Sequence, residues 1–103
     1  MMLFANRLKQ LRVKNDLRQR QMSAVLEIDS GLYSKIERGE RRAKKEQVLQ
    51  LARFLHVDEK ELLTLWQVDQ FSNAVSTDYP IAYDAMQMAF DQYKQLNTKT
   101  HGK

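Results

Sequence analysis

The chain has 103 residues, 17 Lys+Arg against 13 Asp+Glu, no Cys, one Pro and three Gly. That length allows one domain, or a small domain with an appendage, and excludes a (β/α)8 barrel of about 250 residues; the absence of Cys removes disulfides, thiolate zinc sites and cysteine nucleophiles together. The net charge of +4 hides an asymmetry: residues 1–56 carry 13 Lys/Arg and 6 Asp/Glu, while residues 57–103 carry 4 and 7. The basic half therefore suits a polyanion and the acidic half a different task.

Phe4, Leu8 and Leu11 recur at i, i+4 and i+7, which predicts an amphipathic helix over about 3–14, ended near Asn15-Asp16. Met22, Val25 and Leu26 predict a short second helix over about 18–26. Leu32, Tyr33 and Ile36 predict a third over about 29–38, closed by Gly39 in a left-handed cap. Residues Gly39–Lys45 read as a polar, basic loop. Val48, Leu51, Ala52 and Leu55 predict a fourth helix over about 44–55. Asp58 and Glu61 have the spacing of a capping box, and the pattern Leu62, Leu65/Trp66, Phe71, Val75 carries a fifth helix from about 58 to about 75. Ser76–Tyr79 breaks the pattern, and Pro80 suits the first turn of a sixth helix over about 79–96. That helix has two adjacent apolar stripes, Ile81, Ala85, Met88/Ala89 and Leu96, and Ala82, Met86, Phe90 and Tyr93. Residues 97–103 are polar and read as a disordered tail. No strand alternation, repeat or low-complexity tract interrupts this, so an all-α fold is expected. No apolar run approaches about 18 residues and no signal-peptide pattern is present, so no membrane association is expected and a cytoplasmic protein is.

Five short helices in about 65 residues, basic, with a tight connection between the second and third, suggest a helix-turn-helix. The run Gln19-Arg20-Gln21-Met22-Ser23 through Ser34-Lys35-Ile36-Glu37-Arg38-Gly39 resembles the phage-repressor-like (Xre-type) helix-turn-helix regulators without a gap. The likeness extends to Leu8 and Leu11, to Leu51–Asp58 and to Leu62-Leu63, covering residues 3–66. It implies a five-helix, lambda-repressor-like DNA-binding domain over 1–66, with 67–96 as a helical extension and 97–103 as the tail.

The resemblance puts the third helix in the major groove by its N-terminal end. Base readout then falls to Asp29, Ser30, Gly31, Leu32 and Lys35. Lys35 can donate to guanine O6/N7 and Leu32 can touch a thymine methyl. Gly31 either lets backbone approach DNA closely or sits in a frayed first turn. Gln19 at the start of the second helix is expected at a phosphate, as are Arg20, Arg38, Arg41, Arg42, Lys44 and Lys45. Ser34 fits a phosphate or a hydrogen bond within its helix. Glu37 is too acidic for a phosphate, and a salt bridge to Arg7 or Arg12 is expected. Met22, Val25, Ile28, Tyr33 and Ile36 read as core.

The sequence departs from the family pattern in three places. Arg18 stands where Ser or Thr usually caps the second helix, Glu27 where Gly usually makes the turn, and Ala43-Lys44 where Pro-Ser often starts the fourth helix. A non-Gly residue in a left-handed turn costs about 1 kcal/mol. The extension offers Trp66, Phe71, Met86, Phe90 and Tyr93 for dimerisation, since such proteins bind pseudo-palindromes as pairs. Packing within the chain and an effector or partner-protein site are the other readings of that surface. The expected function is thus a homodimeric transcriptional regulator on double-stranded DNA. The alternative is an antitoxin or restriction–modification controller whose C-terminal half binds a partner protein. No catalytic constellation, Gly-rich phosphate loop or His-Glu metal spacing is present, so no enzyme, cofactor or metal is expected.

Overall fold

The computed structural model describes residues 2–74 and 79–101. Its described residues form six helices and no strand: α1 Leu3–Lys14, α2 Gln19–Leu26, α3 Ser30–Glu37, α4 Lys45–Leu55, α5 Glu59–Ala74 and α6 Tyr79–His101. The fold is all-α, and α1 to α5 lie within about two residues of the spans that periodicity predicts. The predicted break at Ser76–Tyr79 lies, as far as Asp78, outside the described residues. α6 continues to His101, so most of the segment read as a tail is helical backbone. No helix among the described residues is long and apolar enough to cross a membrane.

The chain divides into two compact units, Met1–Phe71 and Ser72–Lys103, a boundary slightly later than the predicted one near residue 66. In the first unit the apolar faces of all five helices meet in one core. Phe4, Leu8 and Leu11 of α1 join Met22 and Leu26 of α2, Tyr33 and Ile36 of α3, Val48, Leu51 and Leu55 of α4, and Leu62 of α5. Val25 and Ile28 are only partly buried and pack on its edge. In the second unit α6 exposes most of its large apolar residues, among them Phe90 at 61% and Tyr93 at 69%.

The first four helices end in the same way. Leu17 N–H donates to the Arg12 carbonyl, Ile28 to Ser23, Glu40 to Lys35 and Val57 to Ala52, each closing the six-residue turn of a Schellman motif. The residue in the left-handed position is Asp16 (φ 56), Glu27 (φ 57), Gly39 (φ 79) and His56 (φ 58) respectively. Only Gly39 adopts this conformation without a Cβ penalty, and an added Cβ there would also strike the Met2 side chain. Glu27 is exposed and its side chain makes no ion pair among the described residues. Glu27→Gly is therefore expected to stabilise the protein by up to about 1 kcal/mol and to raise Tm by up to about 4–8 °C. A thermal melt that shows a lower Tm contradicts this.

Helix starts use less obvious devices. Arg18 and Lys44 offer no side-chain acceptor, so Gln21 and Gln47 reach back and accept their backbone N–H groups at 2.7 and 2.8 Å. Asp29 caps α3 by accepting from Leu32 N–H at 2.7 Å. α1 has neither a capping side chain nor an acid in its first turn. Its free N–H groups are met from α5, where the buried Asp69 accepts from Leu3 and Phe4 N–H through its two oxygens, both at 2.9 Å. Glu61, expected to close a capping box on Asp58, instead accepts from Arg7 Nε at 2.9 Å.

Candidate nucleic-acid interface

The placement of α3 depends on one buried carboxylate. Glu37, at the last turn of α3, is 5% exposed and accepts four hydrogen bonds. Arg12 of α1 approaches in a fork, Nε to Oε2 at 2.7 Å and Nη2 to Oε1 at 2.9 Å. Gln19 of α2 donates Nε2 to Oε1 at 2.9 Å, and Tyr33 donates its hydroxyl to Oε2 at 2.8 Å. Arg12 also donates Nη1 to the Leu17 carbonyl at 2.9 Å, which ties in the α1–α2 connection. Three helices are thereby fixed around one residue, with no buried side-chain polar atom unpaired among the described residues.

Burial pushes the Glu37 carboxyl up, but hydrogen bonds from Arg12, Gln19 and Tyr33 outweigh it and hold it below the usual carboxylate range. The hydrogen bond to Glu37, against desolvation, raises Arg12. Burial, and then the bond to Glu37, pushes the Tyr33 phenol well up. All three keep the forms that the network needs: carboxylate, guanidinium and neutral phenol. Of the two partners expected for Glu37, Arg12 holds it, while Arg7 pairs with Glu61. Gln19, expected at a phosphate, turns its side-chain amide inward, because a buried carboxylate needs more donors than one guanidinium supplies.

With its inner face so fixed, α3 presents Ser30, Gly31 and Lys35 as exposed residues, and Leu32 and Ser34 half-buried beside them. Asp29, expected at a base, is the α3 cap. A Cβ built on Gly31 would lie 3.2 Å from the Asp29 carboxylate oxygen, so this glycine keeps the cap uncrowded as well as leaving the helix surface open. The Ser34 hydroxyl accepts from Arg38 Nη1, and Arg38 forks onto Glu40 at 2.9 and 3.0 Å.

Arg20, Arg41, Lys44 and Lys45 are exposed, and none of them forms an ion pair among the described residues. Arg42 is exposed too, but its guanidinium lies over the Trp66 ring, 3.9 Å from the centroid. Trp66, read from the sequence as a dimerisation residue, is half-buried in the first unit and packs on the core. Its indole N–H donates to the Ala43 carbonyl at 2.8 Å. The physical reason is that Ala43 is buried in the loop before α4, and its carbonyl has to find a donor there. Phe71, Met86, Phe90 and Tyr93, the other dimerisation candidates, are exposed.

Sequence reasoning missed Asp69, Trp66 as a loop anchor and the Gln21 and Gln47 caps. A usable signal existed for Asp69: α1 begins with no capping residue of its own, so an acceptor had to come from elsewhere.

Residues 3–65 match the family model of a helix-turn-helix domain. No curated protein and no solved structure gives a significant match to the chain.

Proposed function

We propose, from the premise that the chain belongs to the helix-turn-helix domain family, that it is a sequence-specific transcriptional regulator of the phage-repressor-like, Xre-type kind. In this reading it is a binding protein, not an enzyme, and a homodimer acts as a repressor on a pseudo-palindromic operator. The observation that carries the reading is the two-sided character of α3. Its inner face is locked through Glu37 and Tyr33, its outer face exposes Ser30, Gly31 and Lys35, and the flanking segments carry the exposed cations Arg20, Arg41, Lys44 and Lys45. A rigid helix with an open polar face suits a major groove, and cations on the flanking segments suit phosphates.

The roles divide accordingly. Lys35 donates to a base edge, with Ser30 and Leu32 nearby on the same helix. Arg20, Arg41, Lys44 and Lys45 bind phosphates. Arg38 reaches a phosphate by exchanging Glu40, which is an exposed and therefore weak partner. Lys35→Ala is expected to reduce discrimination between the best site and a random duplex by about 1–3 kcal/mol, with little change in random-duplex affinity. Arg41→Gln is expected to weaken binding to both alike and to reduce the slope of log K against log[salt] by about 0.9. Fluorescence polarisation titrations across a salt series measure both effects. A wild-type protein that binds no duplex at low salt refutes the reading.

One observation favours a role for α6 in pairing. Ala82, Met86, Ala89 and Tyr93 follow one another at steps of four and three along a helix whose large apolar side chains are exposed. That spacing is the seam of a left-handed helix pair. A second copy of the chain is the occupant we propose, because a single helix-turn-helix reads too few base pairs to select an operator. The second reading, an antitoxin or controller module, gives the same surface to a different protein. A dimer mass by light scattering for the purified chain supports the first, and a monomer mass at micromolar concentration opposes it.

A further inference from the structure

Trp66 joins α5 to the basic loop that follows α3. Two successive loop residues are involved. Arg42 lies over the indole ring at 3.9 Å and donates Nη1 to the Trp66 carbonyl at 3.0 Å. The indole Nε1 donates in return to the Ala43 carbonyl at 2.8 Å. Ala43 is buried in the core and Arg41 N–H donates to the Lys35 carbonyl at 3.2 Å, so the backbone on either side of Arg42 has little freedom. A flexible arginine usually loses much rotamer freedom when it meets a phosphate. Here ring and carbonyl hold the guanidinium beforehand, while the residue stays exposed and keeps further N–H donors to offer. Burial against the ring tends to lower the Arg42 pKa and the Asp69 charge opposes it, but the group stays a cation at any physiological pH.

We propose that Trp66 is a positioning residue for DNA binding, seating the Arg42 guanidinium and the adjoining loop for a backbone phosphate. This rests on the DNA-binding reading above. Trp66 touches no nucleic acid in this account; it acts through Arg42. The effect is independent of sequence, since phosphates carry no base identity.

A double-mutant cycle on the full chain tests it, using polarisation titrations of a random-sequence DNA duplex. Trp66→Leu is expected to weaken binding about three- to tenfold, the range of a partly desolvated cation–π contact. Arg42→Gln is expected to weaken it comparably and to lower the salt slope by about 0.9. In the Arg42→Gln background, Trp66→Leu should change affinity less than about twofold, because the group it positions is gone. Equal weakening by Trp66→Leu in both backgrounds, or an unchanged salt slope in Arg42→Gln, overturns the inference. Unfolding transitions of the variants are recorded alongside to exclude loss of fold. A second measurement needs no change at Trp66, which is the only tryptophan in the chain. Its emission should shift when wild-type protein binds the duplex, because a phosphate then pairs with the cation that lies over the ring, and the shift should vanish in Arg42→Gln. Unchanged emission in a DNA-bound wild type also overturns the inference. Failure of wild type to bind any duplex refutes the DNA-binding reading itself, and the inference with it.

Discussion

Glu37→Gln should destabilise the first unit by about 3 kcal/mol or more, enough to unfold a marginal domain. The carboxylate accepts two bonds on each oxygen, from Arg12 and Gln19 on one side and from Arg12 and Tyr33 on the other. An amide has one acceptor oxygen and one NH2. In either orientation the NH2 faces the Arg12 guanidinium, a donor against a donor, and the half-buried cation loses its counter-charge. The loss is distributed over α1, α2 and α3, so α3 should lose its fixed orientation together with stability. Urea unfolding by circular dichroism measures it, and a cost below about 1 kcal/mol would show that the network contributes little.

The same network fixes a pH dependence. Glu37 is held below the ordinary carboxylate value, so its contribution is complete above that value and is lost as pH falls through the folded one. Tyr33 is pushed up, so its contribution is complete below the ordinary phenol value, about pH 10, and declines above it. Glu37→Gln should flatten the acid limb of a Tm-against-pH curve.

The second large effect concerns α6. Met86→Asp is expected to halve the solution mass and to weaken binding to a two-fold symmetric site by about 10²–10⁴, with the first unit still folded. Met86 lies mid-seam with Ala82, Ala89 and Tyr93, and a charge there would have to be desolvated without a partner on pairing. Two linked heads gain a high effective concentration on adjacent half-sites, and separate heads do not. Light scattering and operator titration together decide this. A variant that stays dimeric, or a monomer that binds as tightly as wild type, contradicts the pairing role.

Much of the fold was legible because its signals are local. The i, i+4, i+7 pattern of Phe4, Leu8 and Leu11 and the left-handed Gly39 place α1 and the end of α3 without tertiary knowledge. The Glu27 turn was legible through the family resemblance, whose pattern has glycine at that place. What the sequence concealed depends on partners far along the chain. Asp69 caps a helix more than sixty residues away, and Trp66 meets a carbonyl more than twenty residues away. An isolated acid among α5 residues and an aromatic at helical spacing carry no mark of such roles. The inward turn of the Gln19 side chain was hidden for a related reason: the start of the helix could be read, but the demand of a buried carboxylate on another helix could not. The choice between Arg7 and Arg12 similarly turned on which face of α1 looks toward α3, a matter of packing.

The central claim is that α3 reads base sequence while a second copy of the chain repeats the reading one turn away. Selection of bound duplexes from a randomised DNA library by the full chain tests it most directly. The account predicts enrichment of an inverted repeat with half-site centres about 34 Å apart, and loss of preference at defined positions in each half-site with Lys35→Ala. Recovery of no enriched sequence, or of a single motif without two-fold symmetry, would contradict it.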